Sequence, residues 1–462
     1  MKKNIFFPIL ALGVVVIVLF LSPFILSWIS KTIVFFVDNR QTRIQWMNNQ
    51  EEISSLPSLQ FFIPNDIEEQ IVENSFYNSV SIEGEWYWVE DDLAVWQPIE
   101  PLPAGQMVEF GFVPSQTESN KIKKSAWQTT VRNPLIIYLQ NVESGRALFS
   151  LSPEQPDLIN QITPTEGMIV DFSVSSNGEQ IIFSQENSQS GVDLWLTDRK
   201  GEEISMVLDC GEDRCSSLDW NPIRDEIAFT IEKRITGTSQ IRWDLPRPYL
   251  LNLVTGDSHS FFTDPSNVAY DPVWSSNGQW ISLWNGENQG IEIVHSTSKE
   301  SIYIEKMSDD TGCWSPEERY FYYSKVQEEG LPIVSIIYQV EIFTLQENPF
   351  TGSDLFDLGY NYYYPECHPL GDGMTVVVQV DPIIPYRELW WIKADQSYEK
   401  IYSDLTKMVT QFKWSPNGKQ GIFLRDTLAG LVDGSEIVLW QVEEPEKPIT
   451  FQDYVYQIDW LP

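Results

Sequence analysis

The chain has 462 residues, with 30 Lys and Arg against 66 Asp and Glu, a formal net charge of −36. So negative a surface repels nucleic-acid phosphates and anionic lipid headgroups, which excludes nucleic-acid binding. The 18 Trp, 19 Tyr and 24 Phe residues favour strands and fill a large core, and the length allows two or three domains.

Lys2 and Lys3 precede an apolar run from Ile5 to Ile29. Its 25 residues suffice to cross ~30 Å of hydrocarbon. The run exceeds the roughly 7–15 residues of a signal-peptide core, and no small-residue cleavage site follows it. Residues 1–30 are therefore expected to be an uncleaved signal anchor, a single transmembrane helix with the Lys pair on the cytoplasmic side. All 66 acidic residues lie beyond it and are placed outside the cytoplasm. Lys31, Arg40 and Arg43 on the far flank keep a cleaved secretory signal open as the alternative. Residues 31–57 read as a stalk: Ile33–Val37 is a second short apolar stretch expected in the membrane interface or continuing the anchor, and residues 38–57 are polar, a stalk or short helix.

Residues 58–132 carry short strand-like runs, among them Glu85–Val89, Leu93–Trp96, Val108–Phe112 and Ala126–Thr130. Pro98, Pro101, Pro103 and Gly105 separate them, as in a small antiparallel sandwich. The run Val80-Ser81-Ile82-Glu83-Gly84-Glu85-Trp86, then Leu93-Ala94-Val95-Trp96-Gln97-Pro98, then Pro101-Leu102-Pro103-Ala104-Gly105-Gln106 resembles a bacterial Ig-like domain of the SbsA type. Met107-Val108 departs from that pattern mildly. The resemblance implies a spacer or adhesive module and transfers no catalytic residue.

Residues 133–462 contain one short segment seven times. The copies are VSSNG at Val174, WNP at Trp220, WSSNG at Trp274, WSPEE at Trp314, CHPLG at Cys367, WSPNG at Trp414 and an incomplete copy at Trp460. The steps are 46, 54, 40, 53, 47 and 46 residues. That period, with short strands around each copy, predicts an all-β fold, a seven-bladed β-propeller. Six blades follow if Val174 or Cys367 is not a true repeat start. Pro and Asn-Gly set the turn, and Trp220, Trp274, Trp314, Trp414 and Trp460 are read as structural residues packed between blades. Leu135–Leu139 looks like a second strand lacking a first, and Tyr454–Trp460 is expected to supply it and close the ring. The strings Trp414-Ser415-Pro416-Asn417-Gly418 with Ile422-Phe423, and Val174-Ser175-Ser176-Asn177-Gly178 with Ile181–Phe183 and Leu194–Asp198, resemble the TolB-like, WD-repeat-like propeller family. That resemblance implies the fold and a bacterial envelope protein; propellers host many tasks.

Chemistry is sparse. Cys210 and Cys215 bracket an acidic loop and are the candidate disulfide. Cys313 and Cys367 are expected to be free buried thiols. No C-x₂-C pair exists, and His259, His295 and His368 read as structural, so neither zinc nor any other cofactor is expected. Calcium at Glu90-Asp91-Asp92 or Asp309-Asp310 lacks EF-hand spacing, leaving solvated acidic turns as the simpler reading. No G-x-S-x-G elbow occurs, and no catalytic residue is assigned. The sequence is read as a non-enzyme, an extracytoplasmic binding or scaffolding protein with a protein, peptide or glycan partner. Ligands would meet the top face or funnel, where Lys233–Arg247 and Gln327–Ser335 make the longest loops. A hydrolase or lyase in the funnel is the rival, recognisable by clustered carboxylates with perturbed titration; a structural envelope spacer is the third reading.

Overall fold

Aromatic strands before residue 132 close on each other as two four-stranded sheets. In the computed structural model, the residues described are 44–47, 51–90, 92–114, 122–237, 241–305, 311–327, 334–351, 359–381, 383–384, 386–427 and 435–462. The expected anchor at 5–29, Asp91 and Asp309-Asp310 lie outside them. The described residues include one helix, Glu69–Ser75, and no helix among them is long and apolar enough to cross a membrane.

The first sheet orders Gln45–Trp46, Leu59–Phe62, Leu93–Pro98 and Gly84–Glu90. The second orders Glu52–Ile53, Ser125–Val131, Met107–Phe112 and Phe76–Asn78. Alternate side chains point into one shared core, as the two-residue period of a strand requires. Phe61 meets Phe112 edge-on at 5.3 Å, and Phe76 lies 4.9 Å from Trp96. The stretch read as a stalk is corrected in part. Ile44, Trp46 and Ile53 are buried in this core, so the sandwich reaches back before residue 58. Their apolar side chains gain more from the sheets than a polar stalk offers them.

Beyond residue 132, strands come in antiparallel groups of four. The first strands are Gly167–Val174, Arg214–Trp220, Ala269–Trp274, Cys313–Trp314, Asn361–Cys367, Lys407–Trp414 and Val455–Leu461. Each ends at or just past the repeat residue, including Val174 and Cys367. Val455–Leu461 pairs with Leu135–Val142, which continues into Gly145–Ser152 and Gln155–Gln161. Trp460 lies opposite Ile136, and Ile458 opposite Tyr138. One group thus joins strands more than 300 residues apart.

The turn after each first strand is set by its second residue. Ser175 Oγ accepts the Gln180 N–H and donates to Asn177 Oδ1 at 2.8 Å. Ser275 and Ser415 repeat the arrangement with Asn277 and Asn417. The Ser side chain satisfies a backbone donor that the tight turn would otherwise leave unpaired. The repeat Trp residues are 3–7% exposed and fill the gaps between neighbouring groups. The Trp314 indole N–H donates to the Val273 carbonyl, and that of Trp460 to the Lys413 carbonyl.

The expectation of free thiols at Cys313 and Cys367 is corrected: they form a disulfide, with Cα atoms 5.7 Å apart. Cys313 immediately precedes the repeat residue Trp314 and Cys367 is the repeat residue of the next first strand, and the fold sets these strands side by side. Cys210 and Cys215 are also bonded, with Cα atoms 6.4 Å apart. The sandwich is fastened to the propeller by Arg132, which donates to Asn177 O at 2.7 Å and Pro462 O at 3.1 Å and pairs with Glu179.

Removing residues 454–462 takes the first strand from the composite group and exposes the edge of Leu135–Val142. The expected outcome by calorimetry is loss of a single cooperative transition. A truncated chain that melts like the intact one refutes closure by this strand.

Candidate functional site

Two features bring chemical groups together: the axial channel lined by the first strands, and a cavity beneath the repeat turns. In the channel, six first strands carry a register shift at a similar depth. Ser217, Asp271 and Tyr364 have positive φ there, at 52°, 49° and 50°. A bulge drops residues out of the ladder and frees their N–H groups. Side chains of the preceding first strand accept from such a freed donor at Leu218 and from outward N–H groups of residues that stay in register. Asp171 accepts from Leu218 N at 2.7 Å, Ser173 from Trp220 N at 3.1 Å, and Asp219 from Trp274 N at 2.6 Å. Gln411 accepts from Ile458 N at 3.2 Å, and Gln457 donates to Asp171 at 2.9 Å. Lys413 bonds both oxygens of Glu366, at 3.1 and 3.2 Å.

These groups are enclosed by protein, yet the side chains of Lys413 and Glu366 keep 34% and 29% of their surface. Channel water therefore reaches them. Burial pushes Asp171 up to about 6 and Asp219 up to about 7, and raises Glu366 and Asp459. Burial alone would lower Lys413; Glu366, Asp459 and Asp219 outweigh it and hold the ammonium above its usual range. The arrangement binds strand to strand and concentrates negative charge on the axis. Among the described residues, no cluster of His, Cys, Asp or Glu is disposed to hold a metal ion.

The cavity lies between the sandwich and the turns and measures about 840 Å³. The third residue of six repeats lines it: Ser176, Pro222, Ser276, Pro316, Pro369 and Pro416. The roof comes from the sandwich, including Glu85, Tyr87, Gln97 and Ile99. Successive strands are antiparallel, so this turn face lies at the opposite end from where second strands such as Glu226–Glu232 and Tyr320–Val326 finish. The cavity is on the turn side, because the sandwich folds over that end; the expected ligand loops include residues 238–240 and 328–333, which lie outside the described residues.

One turn departs from its siblings. Gly178, Gly278 and Gly418 occupy the left-handed region at φ near 65°, where a Cβ would strike Pro462, Asn221 or His368 of the adjoining turn. Glu318 holds the same place at φ 57°. Its carboxylate lines the cavity and accepts the Asn277 N–H. Burial pushes it up to about 7, and Glu85 across the cavity adds repulsion. His368 Nε2 lies 3.1 Å from Gly418 O, while Nδ1 accepts the Leu370 N–H. That tautomer is neutral, and burial lowers its proton affinity further.

Among residues singled out in the sequence, Trp314, Cys367 and His368 line the cavity. Trp220, Trp274, Trp414 and Trp460 pack between groups. The Cys210–Cys215 loop lies at neither feature; Cys210 N donates to Asp193 there. His295 caps a turn through Nδ1, and His259 sits on an outer strand. Glu318 and the channel positions went unassigned, although the Glu in WSPEE, where its siblings carry Gly, was a visible signal.

No protein-family model matches the sequence, and no curated protein matches it. Solved structures similar to it include TolB from Acinetobacter baumannii, 14% identical, covering 78% of this chain and 80% of that one, TM-score 0.41. The β-propeller domain of the Trilobed protease from Pyrococcus furiosus is 12% identical over 62% of this chain and 84% of that one, TM-score 0.46. Oligogalacturonate lyase from Vibrio parahaemolyticus is 9% identical over 70% and 85%, TM-score 0.45.

Asp219 titrates higher folded than unfolded, so its ionisation opposes folding; the penalty is absent below about pH 4 and complete above about pH 7. Asp171, Glu366 and Asp459 act in the same sense. Lys413→Met is expected to cost about 2 kcal/mol at pH 8, the loss shrinking towards pH 5, read from denaturant midpoints. Equal loss at both pH values refutes the charge-pairing role. Glu318→Gly relieves a left-handed non-Gly residue and a buried carboxylate, so it is expected to gain about 1 kcal/mol at pH 8. A destabilised Gly variant contradicts this account of the turn.

Proposed function

We propose that this chain is a membrane-anchored extracytoplasmic binding or scaffolding protein. In this reading residues 5–29 hold it in the bacterial cell membrane, an Ig-like sandwich follows, and a seven-bladed propeller binds a protein, peptide or glycan partner. The observation that carries the reading is the cavity of about 840 Å³ roofed by one domain and floored by the other. Ligand sites typically measure roughly 300–1,000 Å³ and favour domain junctions. A pure spacer has no use for such a space.

One observation favours a second reading, a hydrolase or lyase in the channel: Asp171, Asp219, Glu366 and Asp459 cluster there with raised proton affinity. Three of these carboxylates already serve a backbone N–H, and Glu366 serves Lys413. Strand fastening accounts for them without a substrate.

Ser276 is exposed and lines the cavity, so Ser276→Trp fills it without entering the core. The full-length chain, panned against a randomised heptapeptide library and a panel of soluble glycans, is expected to retain ligands that mass spectrometry recovers unchanged. Ser276→Trp is expected to lose them at least tenfold. Ligands held equally by the variant, or cleaved by the native chain, refute the reading.

A further inference from the structure

The cavity has a charge character that its apolar turn residues conceal. Glu85, Glu100, Glu317 and Glu318 line it, and no Lys or Arg is present among the described residues that do. Its one histidine is neutral, since Nδ1 accepts a backbone N–H and burial disfavours a second proton. Aromatic faces stand beside the carboxylates, from Tyr87, Trp280 and Trp314. Ile99, Leu370 and Phe343 line the same space and are 54%, 45% and 77% exposed, alongside the exposed Glu85, Glu100 and Glu317.

Carboxylates next to aromatic faces, with no fixed cation, suit a positive charge on a long side chain. Exposed apolar side chains lining one space together with carboxylates suit a protein segment that covers both. A glycan supplies no charge to match four Glu side chains. Anionic lipid and a second copy of this acidic chain are repelled by them. Resting on the reading of the cavity as a binding site, we infer that its occupant is an extended protein segment whose Lys or Arg side chain enters beside Glu318 while apolar neighbours rest on Ile99, Leu370 and Phe343.

Glu318 has the central part because it comes from the propeller floor, faces Glu85 of the sandwich roof, and holds the left-handed place that Gly178, Gly278 and Gly418 take in three other turns. A bound ammonium or guanidinium would sit between carboxylates of both domains and relieve their repulsion. The same cation would couple sandwich to propeller, making occupancy of the cavity a measure of how firmly they are held together.

The test pans a randomised heptapeptide library on the full-length chain and measures the enriched peptides by fluorescence polarisation. The expected peptides carry Lys or Arg beside Leu, Ile or an aromatic residue. Replacing that basic residue by norleucine, or Glu318 by Gln in the protein, is expected to weaken binding at least tenfold. Glu318→Gln keeps the side-chain shape, and its melting temperature is measured alongside to exclude misfolding. Peptides lost on Ser276→Trp but indifferent to Glu318→Gln and to norleucine leave the cavity as a binding site and overturn the cation. Peptides indifferent to Ser276→Trp overturn the cavity itself. Enrichment of acidic or purely apolar sequences, or no enrichment, also overturns the inference.

Discussion

A four-stranded sheet with two apolar faces is unstable alone, and that constraint organises residues 135–462. Each group must press both faces against neighbours, so the groups form a ring and the ring must close. Closure falls to Val455–Leu461 lying against Leu135–Val142. Its register puts Val455, Ile458 and Trp460 into one core with Ile136, Tyr138 and residues of the preceding group. The repeat Trp residues serve the same need, since each spans the widening gap between twisted sheets.

First strands sit too close to the axis to be joined by a continuous ladder. Instead, N–H groups of one first strand point sideways, and a polar side chain of the preceding first strand accepts them. The links run from Asp171 and Ser173 to the strand at 214–220, and from Asp219 to the strand at 269–274. They continue through Trp314 to Val273, the Cys313–Cys367 disulfide, Lys413 to Glu366, and Gln411 to Ile458, and return from Gln457 to Asp171. Carboxylates are strong acceptors, and four of them on one axis oppose each other and their own burial. Lys413 offsets part of that opposition. The channel's perturbed acids are thus a consequence of fastening a ring with side chains.

The turn face shows the converse balance. Three turns place glycine where the backbone is left-handed and the adjoining turn is near. The fourth keeps a glutamate there, with steric and electrostatic cost and no compensating ion pair to a Lys or Arg of the cavity lining. Local rules broken in one copy of a repeat, at the wall of a cavity between two domains, locate function better than the repeat itself. The lining combines exposed apolar side chains with four glutamates.

The sequence by itself determined the repeat, its period, the all-β class, the sandwich preceding the repeats and the complementary strands at 135–139 and 454–460, because turn chemistry and strand alternation are local. It also contained the Glu in WSPEE, but a single departure has no meaning until its neighbours are known. Only the tertiary structure decided that Cys313 meets Cys367, because their pairing depends on which strands become adjacent, 54 residues apart. It alone decided that Trp46 and Ile53 belong to the sandwich rather than a stalk. It alone folded the sandwich over the turn face, enclosing a cavity from residues 56 to 416 that no periodicity joins. Local propensity acts over a few residues, whereas burial and charge act through space, and the site of this protein is built from the second kind.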